Sequence, residues 1–359
     1  MSDTPKNAPL RQAASQPTAL RRGWTTGACA TAATRAALMG LWGEGCPDRV
    51  RITLPGGERP DFEISHFETG PDWVEAGVIK DAGDDPDVTH GASIRARVCA
   101  SDSGVVFRAG EGVGTVTLPG LPILPGEPAI NPVPRDMITK TVEEMAARLG
   151  QVPDIIVEIS VPGGREIATR TWNPRLGIEG GLSILGTTGI VRPFSCAAWI
   201  ASIHRGIDVA RQTGLTHVAG CTGATSEKTV QALYDLPDHA MLDMGDFAGG
   251  MLKYLARHPV AKVTVGGGIG KMTKLAQGAR DLHSARSQVN FNGLAERLGV
   301  PELVSMNTAL QAYEVAGQTM AEWVAEQSCA KIRDMLPETI RCDTVVIDRK
   351  GVILARSQR

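Results

Sequence analysis

The sequence predicts a two-part chain, a mixed α+β unit followed by an α/β unit, on three observations. Its 359 residues exceed what a single hydrophobic core usually holds. Before residue 171, short extended runs bounded by turn residues dominate; beyond it, strands alternate with helices, the rhythm of βαβ units on a parallel sheet. Between the two lies residues 171–195, rich in glycine and carrying two arginines beside prolines, Arg175 and Arg192. The expected division is a loose tail over 1–20, an α+β domain over 21–170 and a Rossmann-like α/β domain over 171–359, with a parallel sheet and flanking helices.

Composition narrows the function. Hydrophobic residues at 42% and charged residues at 21% describe a globular chain. Aromatics at 4% and a net charge of -2 give neither stacking surface nor bulk attraction for nucleic acid. No apolar run approaches the ~20 residues that span a bilayer, and the first residues lack a signal-peptide core. The seven cysteines are scattered without a C-x-x-C pair, so a cytoplasmic protein with reduced thiols is expected.

In chain order, Arg21-Arg22-Gly23-Trp24-Thr25-Thr26-Gly27 precedes an alanine-rich run over 28–39 of high helix propensity. Thr25 or Thr26 is placed to cap that helix, and its amides beside Arg22 would suit a carboxylate. An ordinary capped helix with surface arginines is the alternative. Residues 50–54, 62–67 and 73–80 have strand length and turn boundaries. The loop 80–89 holds Asp81, Asp84, Asp85 and Asp87; the register of a calcium loop fails, so turn and capping roles are expected, with ligand orientation left open. Residues 93–100 and 105–108 read as a hairpin around 101–104. The glycines at 110–114 lead into a strand, which removes the context of a dinucleotide loop. The proline-dense stretch 118–134 fits neither helix nor central strand. A helix over 136–149 and a strand over 155–161 complete the first part.

In the second part, helical patterns over 195–213, 226–234, 247–257 and 271–278 alternate with strands over 215–219, 240–243 and 261–265. Residues 308–335 read as a helix broken by Gly317, and 344–355 as a closing hairpin. Ligands on such a sheet lie at the carboxyl ends of its strands. Three loops fall there: Gly220-Cys221-Thr222-Gly223, Asp243, and Gly266 to Gly270 with Gly268 between. Asp243 occupies the place of an acid that holds ribose hydroxyls. Lys271 stands where G-x-G-x-x-G needs its last glycine, and Val265 and Met272 break the phosphate-loop pattern. A nucleoside without pyrophosphate, such as S-adenosylmethionine, suits these loops better than NAD or ATP. The histidines show no ligand spacing; His283 alone, after the lysine-bearing helix, is placed to line a site.

Several segments together resemble one family: Gly23-Trp-Thr-Thr-Gly-Ala-Cys-Ala30, the acidic loop 80–89, Gly110-Glu-Gly-Val-Gly114, Ala129-Ile-Asn-Pro-Val-Pro-Arg135, Asn173-Pro-Arg-Leu-Gly-Ile178, Ser183-Ile-Leu-Gly-Thr-Thr-Gly-Ile190, Gly270-Lys-Met-Thr-Lys-Leu-Ala276 and His283-Ser284. This pattern resembles the cobalt-precorrin-5B C1-methyltransferases of anaerobic cobalamin biosynthesis, from about residue 21 to 284. The resemblance implies methyl transfer from S-adenosylmethionine to a cobalt-corrinoid, with cobalt arriving in the macrocycle and no protein metal site. Arg22, Arg135, Arg175, Arg192 and Lys271, with Thr25, Thr26, Thr187 and Thr188, would then meet the carboxylates of the ring. Gly220, Thr222, Gly223, Asp243, Gly266 and Gly268 would hold the donor, and Asp243 and His283 would position groups or remove a proton. A nicotinamide oxidoreductase and a non-catalytic corrinoid carrier are the competing readings, and a homo-oligomer is compatible with each.

Overall fold

The computed structural model describes residues 20–358, so all but Leu20 of the expected tail lies outside the described residues. The first half closes around one helix. After β1 (Gly23–Trp24), Thr25 caps α1 (Thr26–Leu41) by accepting the Ala28 N–H at 3.2 Å. Ala28, Ala30, Ala33, Ala37 and Leu38 are all fully buried; side chains this small let structure close on every side of the helix at core density. Thr31 and Thr34 donate to the Gly27 and Ala30 carbonyls at 2.8 Å, so their burial strands no hydroxyl.

β2 (Arg49–Arg51) and β3 (Asp61–Glu63) pair antiparallel. β4 (His66–Thr69), β5 (Trp73–Ile79), β6 (Ser93–Ala100) and β7 (Val105–Ala109) follow. After β8 (Thr115–Val116) and α2 (Pro132–Leu149) comes β9 (Ile155–Ser160), and the sheet order is β4-β5-β6-β9-β7. α1 packs on α2 and on strands β5 and β6. Beyond the short α3 (Gly164–Ala168), β10 (Ile178–Glu179) pairs with β8 and β11 (Ile190–Val191) with β1. Leu182 and Ile184 join the core built on α1, so the glycine-rich stretch is tied to the first half.

The second half runs α4 (Cys196–Gln212), β12 (His217–Cys221), α5 (Ala224–Tyr234), β13 (Met241–Leu242), α6 (Ala248–Arg257), β14 (Lys262–Gly268), α7 (Ile269–Ala276), α8 (Phe291–Leu298), α9 (Ala309–Arg333), β15 (Arg341–Ile347) and β16 (Ile353–Gln358). Its sheet is ordered β13-β12-β14-β15-β16, parallel except for the edge strand β16. β13 lies on one side of β12 and β14 on the other, so the chain reverses its march across the sheet. Met251, Leu252, Leu275 and Val324 bring α6, α7 and α9 to one face, while Val230 of α5 packs with Ala219, Cys221 and Val345 in a separate cluster. The helices after β12 and β14 therefore pack on opposite faces of the sheet, the arrangement in which open α/β sheets form a crevice at the strand ends. No helix among the described residues is long and apolar enough to cross a membrane.

Three expectations need correction. α2 starts at Pro132, inside the proline-dense stretch; proline in a first turn loses no helical bond and already has a helical φ. Strands β6 and β7 do not form a hairpin, because β9 lies between them, antiparallel to β6 and parallel to β7. Two strand spacings are about 10 Å, which residues 101–104 easily bridge. Helix α8 was not anticipated; only eight residues long, it is capped by Asn290, which accepts the Gly293 N–H at 3.0 Å.

Candidate functional site

The crevice is framed by the ends of β12 and β14, and its glycines divide into two kinds. A β-carbon on Gly220 would lie 2.3 Å from the Met251 sulfur, and one on Gly266 would lie 2.5 Å from Val230. Those two glycines let helices pack closely on the sheet and face the core, not a ligand. Gly223 and Gly268 differ. Nothing lies within 4 Å of a β-carbon built on either, and their φ values of 169° and -67° are open to any residue. Neither strain nor packing calls for glycine there, whereas close approach of a ligand to the backbone does. Both precede helix N-termini without a side-chain cap, so amides of α5 and α7 point into the opening.

Asp243 follows β13 at the rim. Its carboxylate is half-buried, and Oδ2 has no hydrogen-bond partner. Burial, with the nearby Glu227 charge, pushes Asp243 up to about 6, while Arg175 opposes the rise. Glu227 sits in the first turn of α5, where the helix dipole favours an acid, and it forms an ion pair with Arg175. Arg175 stacks on Trp172 with its guanidinium carbon 4.5 Å from the ring centre, and its buried Nη1 has no partner. The Trp199 indole N–H donates to the Asp243 carbonyl at 2.8 Å. Lys271 donates to the Thr222 carbonyl at 2.9 Å and lies 2.9 Å from Asp246 Oδ1, an ion contact too poorly aligned for a hydrogen bond. Thr222, Gly223, Gly268, Asp243, Arg175 and Lys271 thus share one neighbourhood. Glu227, Asp246 and Trp199 join it without having been singled out; for Glu227 the signal was an acid four residues after a glycine that opens a helix.

The remaining positions lie elsewhere or are already engaged. His283 is exposed on a loop, where its Nδ1 accepts the Ala285 N–H at 3.2 Å; Leu282 N–H bonds the Asp246 carbonyl at 2.9 Å and ties that loop to the rim. Arg135 braces the start of α2 through the Ile130 and Pro128 carbonyls and Glu127. Arg22 pairs with Glu58. At the N-terminus of α1 two amides are already engaged, Gly27 N–H with the Leu185 carbonyl and Ala28 N–H with Thr25. Thr26 both donates to and accepts from Leu185, at 3.1 and 3.0 Å. Thr187, Thr188 and Arg192 are exposed.

The four acids of the 80–89 loop are structural in their contacts. Asp81 binds the Arg21 guanidinium, Asp84 its N–H, Asp85 the Phe194 N–H, and Asp87 the buried Lys80. His66, Glu68 and Glu75 approach closely enough to hold a metal. Glu75, however, lies between Arg95 and Arg97, at 3.6 and 3.2 Å, and two guanidiniums compete with any cation there.

A family model described as CbiD matches residues 13–193. A cobalt-precorrin-5B C(1)-methyltransferase of Brucella anthropi is 58% identical over 352 residues, covering 94% of this chain and 95% of its own. One from Paramagnetospirillum magneticum is 56% identical over 349 residues, covering 94% and 98%. A crystal structure of cobalamin biosynthesis protein (cbiD) from Archaeoglobus fulgidus is similar at 25% identity and a TM-score of 0.41, over 83% of this chain and 85% of that one. The chain belongs to the CbiD family.

Proposed function

We propose that this chain methylates C1 of cobalt-precorrin-5B with S-adenosylmethionine as donor, the cobalt-corrinoid being its small-molecule substrate. The relatives that carry this activity in their names match nearly the whole chain. The single observation in the structure that carries the reading is the unpartnered Asp243 oxygen beside two glycines that neither strain nor packing requires. The strand order, with its reversal at β12, supports a Rossmann-like reading of the second half, in which ligands lie at this point. In this proposal the first unit extends through β11 instead of ending at residue 170, because β10 and β11 pair with β8 and β1.

The donor set fits a nucleoside sulfonium. Gly223 and Gly268 leave room for an adenosine against the backbone, and Asp243 can accept from ribose hydroxyls. Lys271 stands where the dinucleotide fingerprint needs its last glycine, which disfavours a nicotinamide dinucleotide. Bound there, S-adenosylmethionine would supply an electrophilic methyl group, its sulfur keeping the electron pair of the broken bond as carbon C1 gains the methyl. The protein's part is alignment and exclusion of water, since effective molarity supplies several kcal/mol of such a barrier. We assign Asp243 to positioning and His283, on the exposed loop that Leu282 ties to the rim, to proton removal. Arg175 and Lys271 offset the charges of Glu227 and Asp246 at the rim, and Arg192, which makes no ion pair among the described residues, would meet a ring carboxylate.

Incubation with methyl-labelled S-adenosylmethionine and cobalt-precorrin-5B tests this. The expected product carries one added labelled methyl on C1 by mass spectrometry and NMR. No transfer with a substrate batch proven on a relative would overturn the proposal.

A further inference from the structure

Phe194 has a backbone conformation that no burial of its side chain rewards. Its φ is 56°, the left-handed region that a β-carbon disfavours and that is a genuine outlier for a bulky side chain. The residue is 66% exposed and joins no core cluster. The backbone is held there by a specific contact, Phe194 N–H donating to Asp85 Oδ1 at 2.8 Å. Strain that the surroundings hold in place at an exposed position is a mark of function. One helical turn further on, Trp199 is 46% exposed, yet its indole N–H is fixed to the Asp243 carbonyl at 2.8 Å. Its ring leans on Phe247, with centroids 6.1 Å apart. Two residues before Phe194, Arg192 is exposed and makes no ion pair among the described residues.

We propose that Phe194 and Trp199 form an aromatic platform for the flat face of the tetrapyrrole, with Arg192 meeting a peripheral carboxylate and Asp85 acting as the positioning residue for Phe194. This rests on the reading of the methyl acceptor given above. A conjugated ring laid on these side chains gains stacking and dispersion over its whole face. Because Trp199 is anchored to the Asp243 backbone, the ring would lie at the mouth of the donor crevice. The acidic loop thereby acquires a role in the site through Asp85, which touches no substrate itself.

The full-length chain tests this with cobyrinic acid, a stable polycarboxylate corrinoid, whose visible spectrum reports binding, and with S-adenosylhomocysteine by calorimetry. Phe194→Gly removes the ring and also relieves the backbone, since glycine adopts this φ freely. Corrinoid affinity should fall about tenfold, S-adenosylhomocysteine affinity should hold, and the melting temperature should not drop. Phe194→Tyr should restore binding. Asp85→Ala, which removes the acceptor, should raise KM for the corrinoid more than it lowers kcat, and Asp85→Asn, which keeps it, should restore the KM. Unchanged corrinoid affinity in Phe194→Gly overturns the platform, as does a change confined to self-association in sedimentation, which would make the patch a protein interface. Wild type that binds cobyrinic acid but never methylates cobalt-precorrin-5B would sink the reaction and leave the platform standing.

Discussion

Asp243 should make donor binding depend on pH. Its carboxyl is displaced upward to about 6, first by burial and then by the charge of Glu227. If ribose hydroxyls donate to the ionised carboxylate, only that form binds well. The fraction ionised rises from about one tenth at pH 5 to about nine tenths at pH 7, so S-adenosylhomocysteine affinity should strengthen about tenfold over that interval. The free protein should show the opposite trend. Because the folded state holds the proton more tightly than the unfolded chain, stability falls as pH rises from about 4 to about 6. A displacement of about two units corresponds to at most ~3 kcal/mol, and partial exposure cuts this to about 1 kcal/mol. Calorimetric titration at half-unit steps from about pH 5 to about 7.5 measures the first effect, and thermal melts from about pH 4 to about 7 measure the second. Asp243→Asn should bind weakly and flatten both profiles. A wild-type affinity independent of pH, or a dependence that survives in Asp243→Asn, would refute the assignment.

Other outcomes follow from the same geometry. Gly268→Ala has an unstrained backbone and open space around the new methyl, so the fold should keep its stability, or gain about 0.4–1 kcal/mol, while S-adenosylhomocysteine affinity drops in calorimetry. Gly220→Ala should behave oppositely: its β-carbon meets the Met251 sulfur, which should cost about 1–3 kcal/mol in urea melts. Asp87→Ala strands the ammonium of Lys80, only 1% exposed, and should lower stability by about 3–5 kcal/mol. Arg175→Ala strands Glu227 and removes the cation that opposes the rise at Asp243, so the midpoint of the pH profile should move above 6.

Much of the second half was legible because βαβ units repeat a local pattern, helix periodicity then a short apolar run, that needs no knowledge of distant contacts. The parallel pairing of β12, β13 and β14 follows from that pattern. The role of each glycine was not legible. Gly220 and Gly268 look alike in sequence, and only the position of Met251, 31 residues further along the chain, separates a packing glycine from one facing open space. The partners of the arginines were hidden for a similar reason: Glu58 meets Arg22 and Glu127 meets Arg135 only through the fold. The insertion of β9 between β6 and β7 is likewise a long-range event, with no mark in the turn at 101–104. Phe194 carried no signal at all, since backbone strain at a phenylalanine has no sequence signature.

The most direct test of the account is a crystal structure of the chain with S-adenosylhomocysteine bound. The account predicts the adenosine against Gly223 and Gly268, its ribose hydroxyls on Asp243, and the sulfur facing Trp199. Nucleoside density anywhere else, or a crevice between β12 and β14 filled by side chains, would contradict it.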